Sequence, residues 1–498
     1  MSLQFADPVA EFVTGHDFKL LIGGDLVDAA DGATLETRNP STSEILTSVP
    51  CAGPQDVQRA YEAAKQAQPA WEARGVQGRS EVFARFGQAI VEHGDRLAML
   101  DAIDGGMPFG EMRFDMQISL GNIRDWPTLV RWHGGRTIPA SPGNLHYTSY
   151  RPYGVTGRIL AYNHPAMFAI TRPLAALIAG NAVIVKPAPQ VPLSALALGE
   201  IIRDVFPPGV FNIVTGGVEA GDAIVTHPGI RRIGFTGSVG TGLKIQQRAA
   251  SSGVKHLSLE LGGKNPMIVF PDADLDRAVE GAVNGMNLVV CAGQSCGSNS
   301  RTYVHRDIYD EFVAGVGARL DAMKVAPAYE DGVDMGPVVS QEHLDRVMGL
   351  IQTGRDQGAR LVTGGGRPNG SAPPEGYFVR PTLFADVSLD MDIGRTEIFG
   401  PVMALAAWTE IDDVVEKANA VDVGLTAGVW TSDLDTAHRI ADRLQAGYVW
   451  VNDQARHYFG TPFGGQKNSG IGREECIEEY ESYLEQKVVH VVLRDPVL

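Results

Sequence analysis

At 498 residues, 44% hydrophobic and 20% charged, the chain has the composition of an ordinary soluble globular protein and the length for two or more domains. A net charge of −17 argues against nonspecific affinity for nucleic acid or an anionic membrane, although backbone amides can still hold an anionic ligand locally. The four cysteines form no CxxC pair and no Cys/His metal spacing, which predicts reduced thiols, no metal site and a cytoplasmic setting. No stretch approaches the roughly 18 apolar residues of a membrane span, and residues 1–15 lack the basic start and apolar run of a leader.

In chain order, residues 18–50 predict short strands and turns. Residues 57–73 set Val57, Ala60, Ala64 and Trp71 on one helical face. Further helices are expected at 80–93 and 95–103, as part of a helical layer on a sheet. From 158 to 261 apolar runs alternate with helical patterns: strands at 158–162, 182–186, 210–214 and 232–236, helices from about Ala166 and over 192–205. That alternation predicts a parallel sheet wound with helices, its strands apolar because both faces are covered. Ligands of such sheets sit beyond the carboxyl ends of the strands. Lys186 ends the second strand, so its ammonium can project into that crevice. The run Gly237-Ser238-Val239-Gly240-Thr241-Gly242 follows the fourth and opens a helix, where a phosphate can approach backbone amides. Neither a GxGxxG fingerprint nor a Walker A sequence is present, and on spacing alone an ordinary strand-to-helix turn explains these glycines equally well. Asn163, before Pro165, reads as a capping or turn residue. A helix is expected from Arg277 toward Leu288, with Gly293-Gln294 breaking it and leaving Cys296 on a loop, where function concentrates. Cys291, flanked by Val290 and Ala292, is expected to be buried and inert. Residues 485–493 and part of 134–152 read as strands, and an exposed apolar strand needs a partner.

Two framed strings carry the chemistry. Glu260-Leu261-Gly262-Gly263-Lys264-Asn265-Pro266 supplies a carboxylate and Gly293-Gln294-Ser295-Cys296 a thiol, the groups needed for covalent chemistry at a carbonyl carbon. Together they resemble the NAD(P)-dependent aldehyde dehydrogenase superfamily, and the likeness runs from about Ile22 to about Val492. The resemblance implies an α/β fold with a Rossmann-like cofactor domain (1–132 and 153–262), an α/β catalytic domain (263–478) and a small β oligomerisation arm (133–152 and 479–498) that makes a homodimer or homotetramer. It implies oxidation of a small-molecule aldehyde to its acid, with Cys296 as nucleophile, Glu260 activating water and Asn163 in the oxyanion hole. It assigns Lys186, Gly237, Ser238, Gly242, Leu261, Glu397 and Phe399 to the cofactor, and Met167, Thr171, His457 and Phe463 to the substrate tunnel. His164 is left without a role.

Departures from the family pattern are informative. Pro189 stands where many NAD-preferring members carry a glutamate, so either NAD or NADP is expected. The separation of Glu260 from Cys296 is a couple of residues longer than in the family, which lengthens the helix or loop around 284–291 and can move a tunnel wall. Aromatic and apolar tunnel residues favour a medium-sized or aromatic aldehyde; Arg172 or Arg456 is the alternative, as a clamp for the carboxylate of a semialdehyde. The runner-up activity is a CoA-acylating semialdehyde dehydrogenase, against which Glu260 argues. A noncatalytic structural relative is the reading from a different class, against which the retained Cys296, Asn163 and Glu260 argue.

Overall fold

The computed structural model describes residues 13–368, 370 and 372–493; the ends of the first expected domain and of the arm, 1–12 and 494–498, lie outside the described residues. Two sheets organise the chain. The first has eight strands in the order Asp25–Val27, Leu20–Ile22, Phe211–Ile213, Ala182–Lys186, Val155–Ile159, Arg232–Thr236, His256–Glu260 and Gly470–Ile471. Its five central strands are parallel; the antiparallel hairpin Leu20–Ile22 and Asp25–Val27 closes one side and antiparallel Gly470–Ile471 the other. Ala182–Lys186 and Arg232–Thr236 are buried at every position, as strands covered on both faces must be. The second sheet has seven strands, Arg360–Thr363, Thr382–Ala385, Val402–Trp408, Arg301–His305, Pro266–Val269, Thr426–Trp430 and Tyr448–Val451, parallel except at Arg360–Thr363.

The helix Pro54–Ala73 buries Val57, Ala60, Ala64 and Trp71, the face expected from spacing. Asp56 anchors its start by accepting from the Gly53 amide at 3.0 Å. The two helices expected at 80–93 and 95–103 are one 31-residue helix, Gly75–Gly105. Gly94 does not break it. A Cβ there would meet Met116 of the helix Phe109–Val130 at 3.4 Å, an ordinary van der Waals contact. The strand expected at 158–162 lies three residues earlier, at Val155–Ile159, and the helix expected from 277 to 288 stops at Asn284, followed by a separate turn, Leu288–Cys291. Outside both sheets, Asn144–Pro152 and Leu484–Val492 pair as an antiparallel ribbon from Leu484↔Pro152 to Val492↔Asn144, exposing Leu145, Tyr147, Val488 and Val492. No helix among the described residues is long and apolar enough to cross a membrane.

Candidate active site

The loop bearing Cys296 is tied down from below. Asn265 donates to the carbonyls of Cys296 and Ser298 at 2.7 and 2.8 Å and accepts from the Thr426 amide at 3.1 Å. Gly263 allows this approach, since a Cβ there would stand 2.6 Å from the Cys296 carbonyl oxygen. Gln294 braces the other side, donating to the Cys291 carbonyl at 2.9 Å and accepting from the Val339 amide at 3.0 Å. Asn287 and Ala292 bracket the turn with φ of 53° and 52°, a left-handed conformation that costs a side-chain-bearing residue energy and persists where packing over-determines it. Asn287 and Val290, from the lengthened segment, line the cavity that Cys296 faces.

That cavity holds about 710 Å³. It brings together Cys296, Asn163, Met167, Thr171, His457 and Phe463. Cys291 is buried, and burial pushes its thiol beyond the usual range. The Cys296 thiol is pushed up to about 12, by burial first and then by the Glu260 and Glu397 carboxylates.

Glu260 ends its strand behind the cavity, 4% exposed, and neither of its carboxylate oxygens has a hydrogen-bond partner among the described residues. Burial, and then the neighbouring Glu474, hold its pKa well above the usual carboxylate range. Glu474 takes the cations. It pairs with buried Arg158, and with Arg172 at 2.8 Å. Despite burial, these arginines hold Glu474 below its ordinary value. Arg172 also reaches Glu475 at 3.3 Å and lies over the Phe168 ring at 4.8 Å. Glu475 in turn meets His457 at 3.2 Å and, against burial, is drawn down to about 2 by His457 and Arg172. Arg172, which lines the cavity, is thus already engaged by two of the protein's own carboxylates. Arg456, the other candidate, is 71% exposed at its side chain and lies 3.7 Å from Asp453.

Arg158, Glu474, Glu475 and Asn265 were not singled out by sequence. Arg158 carried a signal, a lone charge in the apolar strand Val155–Ile159. It fits only because its neighbour is Gly234, where a Cβ would collide with the guanidinium.

The other expected residues do not line this cavity. Lys186 is 5% exposed; it donates to the Pro187 carbonyl at 3.3 Å, and burial pushes it down to about 8. Ser238 caps the helix Val239–Ala250, accepting from the Thr241 amide at 3.3 Å. Leu261 packs on the first turn, where a Cβ on Gly242 would stand 2.8 Å from its methyl groups, and a Cβ on Gly237 would strike the Phe235 ring. Glu397 accepts from the Gly263 amide at 3.0 Å over the bare face of Gly262, and burial lifts it to about 7. Phe399, at φ 59°, is fixed by His343 donating to its carbonyl at 2.6 Å and by edge contact with Tyr162 at 5.7 Å. Among the described residues no cluster could hold a metal ion.

The model of the aldehyde dehydrogenase family matches residues 26–489. The chain belongs to the aldehyde dehydrogenase family. As an aldehyde dehydrogenase it is 41% identical over 465 residues to the aldehyde dehydrogenase tropH of Talaromyces stipitatus, covering 92% of this chain and 90% of that one. It is 39% identical over 473 residues to a betaine aldehyde dehydrogenase of Rhizobium etli, covering 94% and 96%. Among solved structures, the NAD+ complex of aldehyde dehydrogenase from Bacillus cereus superposes with a TM-score of 0.94 at 38% identity, over 98% of this chain and 99% of that one. The α/β fold with a small β arm is thus the aldehyde dehydrogenase fold.

Proposed function

We propose that this aldehyde dehydrogenase oxidises a neutral, medium-sized or aromatic aldehyde to its free acid, with NAD as hydride acceptor and NADP also accepted. The observation that carries the mechanism is a buried carboxylate, Glu260, with both oxygens unpartnered, close behind a thiol that faces the cavity. Cys296, once ionised, adds to the aldehyde carbon. Asn163 and the Cys296 amide hold the resulting oxyanion, a contribution of roughly 3–4 kcal/mol per preorganised donor. When bound, the nicotinamide supplies the hydride acceptor. The acyl group then remains on Cys296 as a thioester. Glu260, whose raised pKa makes it avid for a proton, takes one from the water that attacks the thioester, and the acid leaves.

The residues present fit a dinucleotide. The start of the helix Val239–Ala250, capped by Ser238, suits a pyrophosphate, Lys186 and Glu397 suit ribose hydroxyls, and Phe399 suits the nicotinamide face. The Bacillus cereus relative's NAD+ complex supports NAD. Pro189, exposed where a carboxylate would repel a 2'-phosphate, supports NADP as well. The substrate class rests on Phe114, Trp126, Met167, Phe168, Trp450 and Phe459 in the cavity wall and on the commitment of Arg172 elsewhere. The exposed apolar ribbon supports a homodimer or homotetramer assembled through the arm, and four free thiols support a cytoplasmic setting. The test is reduced-nicotinamide absorbance with benzaldehyde and succinic semialdehyde, NAD and NADP in parallel, and Cys296→Ala as control. Turnover of benzaldehyde above succinic semialdehyde, lost in the variant, is the expected result; succinic semialdehyde as the better substrate would reject the neutral-substrate reading.

A further inference from the structure

We propose that His164 and Asp115 form a specificity-determining pair that holds a hydroxyl group on the aldehyde; the proposal rests on the oxidation described above and narrows its substrate class. His164 follows Asn163 directly, at the start of the helix Pro165–Thr171, and its carbonyl accepts from the Phe168 amide at 2.9 Å. Its ring leans on Phe168, centroids 5.3 Å apart, and its Nδ1 lies 2.7 Å from Oδ2 of Asp115, which is 3% exposed on the helix Phe109–Val130.

The chemistry follows from proton counting. A carboxylate only accepts, so Nδ1 carries the hydrogen of this bond, and in its neutral form the ring presents Nε2 as an acceptor. Nε2 has no hydrogen bond to any described residue, nor is it among the buried polar atoms left unpartnered. It is therefore open, on a side chain 17% exposed that lines the cavity with Cys296. The buried carboxylate fixes the tautomer and the ring's orientation, the task such a partner performs for a ligating histidine. His164 and Asn163, the proposed oxyanion donor, line one cavity with Cys296.

What the nitrogen takes is a hydrogen-bond donor without negative charge. Glu111, Asp125 and Asp115 face the same cavity; of its two arginines, Arg172 is engaged by Glu474 and Glu475, and Arg456 is 71% exposed at its side chain and 3.7 Å from Asp453. An anionic group would meet carboxylates there, and a quaternary ammonium has no hydrogen to give Nε2. A hydroxyl satisfies both conditions, and the aromatic wall around it suits a hydroxylated aromatic aldehyde.

The experiment compares each ring isomer of hydroxybenzaldehyde with its methoxy counterpart, with benzaldehyde and betaine aldehyde alongside, in the enzyme with NAD. At least one hydroxylated isomer is expected to exceed its methoxy partner in kcat/KM by about tenfold, equivalent to ~1.4 kcal/mol, mostly through KM. In His164→Phe the ratio falls to about 1, and His164→Gln, which keeps an acceptor, retains part of it. Asp115→Asn lowers the ratio too, a readout that a merely structural carboxylate would not move. Thermal denaturation checks that each variant folds, and Kd for the same pairs in Cys296→Ala reads the hydroxyl preference without turnover. Wild-type ratios all within roughly threefold of 1, a ratio that survives in His164→Phe, or faster turnover of betaine aldehyde than of every hydroxylated isomer would overturn the proposal. Benzaldehyde oxidised without a hydroxyl preference sinks this inference alone; failure of every aldehyde sinks the oxidation reading, and the Kd ratios then decide whether the pair reads a hydroxyl.

Discussion

Behind Cys296 and at the mouth of its cavity, the same residue types are used in opposite ways. Behind it, Arg158, Arg172, Glu474 and Glu475 pair among themselves out of water, and Glu260 is left with no partner at all. Leaving Glu260 unpaired beside them raises its pKa, so its carboxylate form is a stronger proton acceptor than an ordinary glutamate. At the mouth, Glu111 and Asp125 face the cavity, Arg456 is 71% exposed at its side chain, and charges there are screened and mobile. Polar groups away from solvent set reactivity here; those in contact with it can only sort what enters.

The contrast can be broken at several points. Cys296→Ala removes the nucleophile and is expected to cost about 10⁴-fold or more in kcat, read as reduced-nicotinamide production. Glu260→Gln is expected to cost about 10³-fold in steady-state kcat while leaving a single-turnover burst, because acylation precedes the step that needs the base. Deacylation in the wild type should rise with pH: burial and Glu474 raise the carboxylate's pKa, so the basic form is lost as pH falls and grows as it climbs. Arg158→Met strands Glu474 beside Glu260 and is expected to destabilise by about 3–5 kcal/mol in chemical denaturation, whereas Arg456→Met at the mouth should change stability by less than about 1 kcal/mol. The smallest effect sharpens the comparison most. Alkylation of Cys296 without cofactor should accelerate toward the value of about 12 to which burial pushes the thiol, and Glu260→Gln should shift that profile to lower pH by removing a repelling carboxylate. An unshifted profile would mean that Glu260 does not act on the thiol.

Much of this was legible in sequence where a motif or a two-sided strand left little freedom. Ala182–Lys186 reads as buried because no polar face interrupts it, and the glycines of 262–263 reappear as the clearance for Glu397 and the Cys296 carbonyl. What stayed illegible depends on partners far along the chain. Arg172 meets Glu475 at a separation of 303 residues, and Arg158 finds Glu474 at a separation of 316. Gly94 is unfavourable in a helix by propensity alone, yet it sits inside the helix Gly75–Gly105, where tertiary packing overrides propensity. His164 and Asp115 are 49 residues apart, on different helices, and spacing says nothing of their meeting.

The short strand Gly470–Ile471 has a consequence for how the molecule is made. It covers the free edge of His256–Glu260 through Leu259↔Ile471 and Glu260↔Gly470. A ribosome delivering 5–20 residues per second reaches it on the order of tens of seconds after Glu260 has emerged. During that interval the strand bearing Glu260 has an unsatisfied edge, a template for pairing with another nascent chain. The segment that completes the site is also the stopper that ends this exposure, so a transcript truncated before residue 470 should yield a polypeptide that aggregates rather than a smaller enzyme.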